Sequence, residues 1–136
     1  MDLGLSGSVA VITGAGRGIG LAVVRGLAAN DVRVIAAARK SSAELDELAR
    51  TGRVQVAELD LAVTDGPSRL VALAGDRIDI LVNNVGAAPT RTGGFLSVTD
   101  QDWQSSVTLN LLVAITIAAA IRLLLKEVAF PRLDKS

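Results

Sequence analysis

A run of β-branched and apolar residues at positions 8–13 (SVAVIT) passes without a spacer into TGAGRGIG, a loop with glycine at 14, 16, 18 and 20. No other stretch limits the fold as much. A strand apolar on both faces belongs in a sheet covered on both sides, the setting of a parallel strand. The loop then opens directly into a helical pattern (GIGLAVVRGLAAN) with Asn30 as its terminator. Free backbone N–H groups and the positive end of a helix dipole meet at such a junction, and a diphosphate is a natural guest there. A side chain at the closest positions would block the phosphate oxygens, and glycine removes it. A tight strand-to-helix turn also asks for glycine, so the loop alone leaves both readings open. Its spacing, Thr13, Gly14, Gly18, Gly20, is T-G-x-x-x-G-x-G rather than the common G-x-G-x-x-G.

The alternation continues along the chain. Residues 32–38 (VRVIAAA) predict a second strand. SSAELDELAR predicts a helix opened by a capping box, Ser41 accepting from the Glu44 backbone and Glu44 reaching back. Residues 54–60 (VQVAELD) predict a third strand, with Asp60 at its end. TDGPSRLVALAG predicts a short helix with Pro67 in its first turn. Residues 78–84 (IDILVNN) predict a fourth strand, after which a Gly/Pro-bearing loop, VGAAPTRTGG, leads to a second capping box, Thr99 with Asp102, and a long helix. Strands alternating with helices predict an α/β fold, a doubly wound parallel sheet, in one domain spanning residues 1–136.

Composition narrows the function. The chain has 136 residues, half of them hydrophobic, and its 14 Lys and Arg balance its 14 Asp and Glu. That neutrality argues against a nucleic-acid or anionic-membrane surface. Cys, His and Tyr are all absent, which excludes disulfides, thiolate metal sites, cysteine nucleophiles and histidine triads; no metal is expected. No basic leader precedes the first apolar stretch, so the expectation is a cytoplasmic chain. LLVAITIAAAIRLLL is interrupted by Arg122, preceded by Asn110, and read as a buried or interface helix, too short for a membrane span.

Further residues stand at fitting distances from the glycine loop. Asp60 either accepts from an adenine amino group or merely caps the end of its strand. Asn83 and Asn84, in NNVG with Gly86, either tie strand ends together and line a cofactor crevice or make a turn. TGAGRGIG, the Asp60–Leu61 pair, NNVG and the Asn inside the long helix after DW together resemble the short-chain dehydrogenases/reductases. The resemblance runs from about residue 5 to residue 123, and residues 124–136 diverge. It implies a Rossmann-like sheet in the order 3-2-1-4, truncated to about four strands, with a long C-terminal helix. It also implies cofactor contacts from Thr13, Gly14, Arg17, Gly18, Ile19, Gly20, Arg39, Asp60, Leu61, Asn83, Asn84 and Gly86. One departure lies within the motifs: Val85 stands where the family usually has Ala.

In nicotinamide enzymes an acidic residue after the second strand reads the ribose hydroxyls and selects NAD. Here the second strand ends in Ala38, followed by Arg39 and Lys40, and Arg17 lies in the glycine loop. Two guanidiniums can clamp a phosphate, which predicts NADP(H) over NAD; two solvated surface arginines are the plainer alternative. The resemblance further implies catalysis by an Asn, a Ser, a Tyr and a Lys. Asn110 is the one position that matches, and the sequence has no Tyr. Family members usually continue for roughly another hundred residues, about one more small domain. The expectation is therefore a truncated or frame-shifted product, or a natural half-domain, that binds a dinucleotide but does not transfer hydride by itself. The alternatives are an assembly module with a relic loop, or an oxidoreductase completed by a partner chain. A homo-oligomer is expected through the 100–127 helix or the bare edge of the strand at 78–83.

Overall fold

The computed structural model describes residues 3–90 and 92–129, with side chains described through residue 124. Four parallel strands, β1 (Val9–Thr13), β2 (Arg33–Ala38), β3 (Val54–Glu58) and β4 (Ile80–Val82), form one sheet in the order β3-β2-β1-β4. The predicted class and strand order both hold. All five residues of β1 are buried, as expected of a central strand with no polar face. Its side chains alternate between two separate cores. Ala10 and Ile12 pack with Val24, Val34, Ala36 and Leu45 beneath α1 (Gly18–Ala28) and α2 (Ala43–Ala49). Val9 and Val11 pack with Ile35, Leu70, Val113 and Ile117 on the other face, beneath α3 (Gly66–Ala74) and the C-terminal helix. Pro67 lies in the first turn of α3, where its missing N–H costs no helical bond.

Several boundaries differ from those expected. The third strand stops at Glu58 and the fourth contains only Ile80–Val82, so Asp60, Asn83 and Asn84 lie in loops beyond the sheet. In these loops side chains, rather than strand partners, take the backbone N–H groups. Ser42, not Ser41, caps α2: its hydroxyl accepts from Leu45 N at 3.2 Å, and no Glu44 box forms. The Ser41 hydroxyl bonds the Asp46 carboxylate instead. Asn30 does stop α1 from outside, donating to the Gly26 carbonyl at 2.8 Å. The Thr99–Asp102 box forms with both of its bonds and opens α4 (Asp100–Val107).

The long helix is not one regular α-helix. Between α4 and α5 (Val113–Ala129) lies a π-helical turn, Thr108–Leu112. The stretch Asp100–Leu124 is long and apolar enough, by length and composition, to cross a membrane, contrary to the sequence expectation. Its all-round apolarity also does not mean burial all round within this chain. Val113, Ile117 and Ile121, at helical spacing, sit in the core against α3, whereas Val107, Leu111, Leu112, Ile115 and Leu123 are exposed. Phe130–Ser136, the end of the divergent tail, lies outside the described residues.

Candidate functional site

The chain leaves β1 toward β2 on one side, while β4 pairs on the other, so the sheet reverses direction between β1 and β4. Open α/β sheets bind ligands at that reversal, beyond the C-terminal ends of the strands. Thr13 ends β1 there and is fully buried. Its hydroxyl oxygen accepts from both Asn84 N and Val85 N at 3.0 Å, and it donates to the Val82 carbonyl at 3.4 Å. The Asn84 side chain returns the tie, Nδ2 donating to the Gly14 carbonyl at 3.2 Å. A polar residue at the end of an apolar strand thus replaces the ladder bonds that the short β4 cannot make. The two walls of the crevice are fixed to each other.

The glycines serve different ends. A Cβ on Gly20 would run into the Gly14 carbonyl oxygen and stand 2.6 Å from Asn84 Nδ2. Gly14, at φ 64°, would bring a Cβ to 3.0 Å from the same nitrogen. Both are glycine because α1 packs tightly on the strand ends. Gly18 is different: its φ is 55° and a Cβ there would enter open space. No protein atom lies within 4 Å of that position, so packing within the chain does not require its glycine; the left-handed φ does. The first turn of α1 has no side-chain cap and no acidic residue, so its amides have no carboxylate competing for them. Arg17 and Arg39 are exposed beside the loop, and Ile19 lies 76 % exposed, an apolar side chain with no protein cover.

The other expected residues divide. Asp60 Oδ1 accepts from Ala62 N at 2.9 Å in a local turn. Leu61 is buried in the core, so its part in any site is through its backbone. Asn83 is exposed at the crevice lip. Asn110, carried on the π turn, clamps the segment after β4. Its Oδ1 accepts from Ala87 N at 3.0 Å, and its Nδ2 donates to the carbonyls of Ala87 and Ser106, each at 2.9 Å. Gly86 is needed for that clamp, since a Cβ there would stand 2.8 Å from Asn110 Oδ1. Beyond it a groove of about 250 Å³ opens between Ala88, Pro89, Val98, Trp103, Ser106 and Leu109. Sequence reasoning missed Glu58. Its carboxylate accepts from Ser41 N at 2.7 Å, just past the end of β2; an acid closing a strand whose other polar residue is Gln55 was the available signal.

At the opposite end of the sheet, Asp79 Oδ2 accepts from Val9 N at 2.8 Å beside the Arg77 guanidinium. The backbone bond holds its carboxyl below the ordinary 3.8 against a smaller upward pull from burial, and the Arg77 guanidinium lowers it further. That end starts the strands and takes no part in the crevice.

The sequence profile described as short chain dehydrogenase matches residues 8–129. L-xylulose reductase of Bos taurus is 36 % identical over 122 residues, covering 89 % of this chain and 48 % of the relative. A 3-oxoacyl-(acyl-carrier-protein) reductase of Synechocystis is 35 % identical over 132 residues, covering 90 % of this chain and 53 % of that protein. The chain spans about half the length of the curated relatives it matches. Among solved structures, L-sorbose reductase from Gluconobacter frateurii, complexed with NADPH and L-sorbose, superposes with a TM-score of 0.80 at 32 % identity. It covers 93 % of this chain and 51 % of the other. A 3-oxoacyl-(acyl-carrier protein) reductase from Brucella melitensis in complex with NAD gives 0.78 at 30 % identity, covering 92 % and 51 %.

Proposed function

The chain belongs to the short-chain dehydrogenase family, and from that premise we propose that these 136 residues bind the adenosine and diphosphate part of NADP(H) at the β1–β4 crevice, without transferring hydride on their own. The observation that carries the reading is Gly18, left-handed at the uncapped start of α1 with open space where its side chain would be. The diphosphate would lie over the backbone amides of that turn. Arg17 and Arg39 would take a 2′-phosphate, Asp60 the adenine amino group, and Asn83 with the backbone at Gly86 the far wall. When bound, the nicotinamide supplies a hydride acceptor or donor. Of the implied catalytic set, the described residues match one position. Asn110, the matching member of the implied catalytic set, has its amide engaged with Ala87 and Ser106, and the sequence holds no tyrosine. Relatives crystallised with NADPH and with NAD support a nicotinamide dinucleotide as the ligand class.

The exposed face of α4 and α5 favours a second property, self-association. Val107, Leu111, Leu112, Ile115 and Leu123 are large apolar side chains left exposed on this stretch, and exposed apolar groups in a cluster mark interaction surfaces. Calorimetric titration of the purified chain with NADPH and NADH, with sedimentation in the same buffer, tests both parts. Saturable binding favouring NADPH, by a dimer or larger assembly, is the expected result. A folded oligomer that binds neither nucleotide would leave only the assembly reading.

A further inference from the structure

We infer that Glu58 is a cofactor-specificity residue that opposes the 2′-phosphate and narrows the preference for NADP(H) set by Arg17 and Arg39; this rests on the dinucleotide reading above. The argument begins in the sheet register. A Cβ on Gly16 would lie 3.3 Å from the Ala38 side chain, so Ala38 faces the glycine loop. Ala38 pairs with Glu58 across the parallel β2–β3 ladder, and paired residues project from the same face. Glu58 therefore rises beside Ala38, about 4.8 Å away laterally, one strand spacing.

Ala38 closes β2, and the loop it enters is where an acidic residue would read the ribose in an NAD enzyme. No carboxylate follows Ala38 in the chain, only Arg39 and Lys40. The fold supplies one from the neighbouring strand instead. Glu58 is not placed there loosely: Oε1 accepts from Ser41 N at 2.7 Å, across 17 residues of sequence. Asp46 takes the Ser41 hydroxyl. Two acids thus hold the short loop that carries the two cations, and one of them occupies a backbone donor that a phosphate could otherwise use. For a phosphate drawn to Arg17 and Arg39, a separation from the Glu58 carboxylate of about 6 Å, little more than one strand spacing, sets the scale. At that separation in a water-like dielectric, a dianion and a unit charge repel enough to change a dissociation constant about tenfold. Salt near 0.1 M reduces this to about threefold.

The test is calorimetric titration of the full chain and of Glu58→Gln with NADPH and with NADH, at low and at high salt. Glutamine keeps an oxygen for Ser41 N, and Glu58→Ala with a thermal melt of each protein separates loss of charge from loss of fold. The expected result is three- to tenfold tighter NADPH binding in Glu58→Gln, unchanged NADH binding, and a smaller difference at high salt. Equal shifts for both nucleotides, no shift for either, or a loss confined to NADH would each overturn the assignment while leaving dinucleotide binding in place. A wild-type chain that binds neither nucleotide would overturn the site itself, and this assignment with it.

Discussion

Thr13→Val puts the crevice reading under its most direct strain. The exchange is nearly isosteric and leaves an apolar residue at the end of a fully buried strand, so transfer of the side chain from water does not by itself oppose it. What it removes is the oxygen that accepts from Asn84 N and Val85 N, both at 3.0 Å, while the longer bond to Val82 O, at 3.4 Å, contributes little. Two partly buried amides then lose their acceptor at about 1–3 kcal/mol each. Because both donors are only partly buried, the lower half of that range applies, giving about 2–4 kcal/mol in all. Against a domain stability of about 5–15 kcal/mol this is readily measured by urea denaturation. Thr13→Ser is the control: it keeps the oxygen and loses one methyl, about 1 kcal/mol. The valine variant should also bind NADPH more weakly, since Asn84 is tied to Gly14 through the same junction. If serine and valine destabilise equally, the methyl and not the hydroxyl holds the strand ends together, and the account of the crevice walls fails.

Four other variants probe separate parts. Gly18→Val should lose about 1–2 kcal/mol for a left-handed non-glycine residue yet stay folded, while NADPH binding disappears; Gly20→Val, whose side chain would meet the Gly14 carbonyl, should not yield a folded protein by circular dichroism. Asn110→Asp keeps the acceptor for Ala87 N but loses both donated bonds, and should cost about 1–2 kcal/mol and speed hydrogen exchange at residues 86–88. Asp79 has a lowered pKa when folded, so its stabilisation is complete above its ordinary 3.8 and is lost as pH falls below that through the folded value. Asp79→Asn should therefore be less stable than wild type at neutral pH and lose less on acidification below 3.8, as read from urea midpoints across that range.

The order of the elements was legible in the residues because its signals are local. An apolar strand meeting a glycine loop, Pro67 in a first helical turn, and Thr99 three residues before Asp102 each act within one turn of chain. The glycine loop was legible for the same reason, and so was Asn110 as a marked position. What these residues do was not. Thr13 finds its partners about 70 residues later, Asn110 finds Ala87 across 23, and Glu58 finds Ser41 across 17. Which residues meet over such separations depends on strand register, and register follows from packing two cores at once. The division among glycines has the same origin: from sequence the loop could make room for a ligand or serve a tight turn, and Gly14 and Gly20 make room for the protein itself. The shortness of β4 was likewise hidden, because IDILVNN is apolar enough for a longer strand until Thr13 and Asn110 claim the backbone beyond Val82. The sequence by itself determined a doubly wound sheet with a glycine loop at its first turn. Only the tertiary structure decided which glycines the protein's own packing requires and which carboxylate reaches the loop after β2, because those are contacts between segments that the chain brings together only by folding.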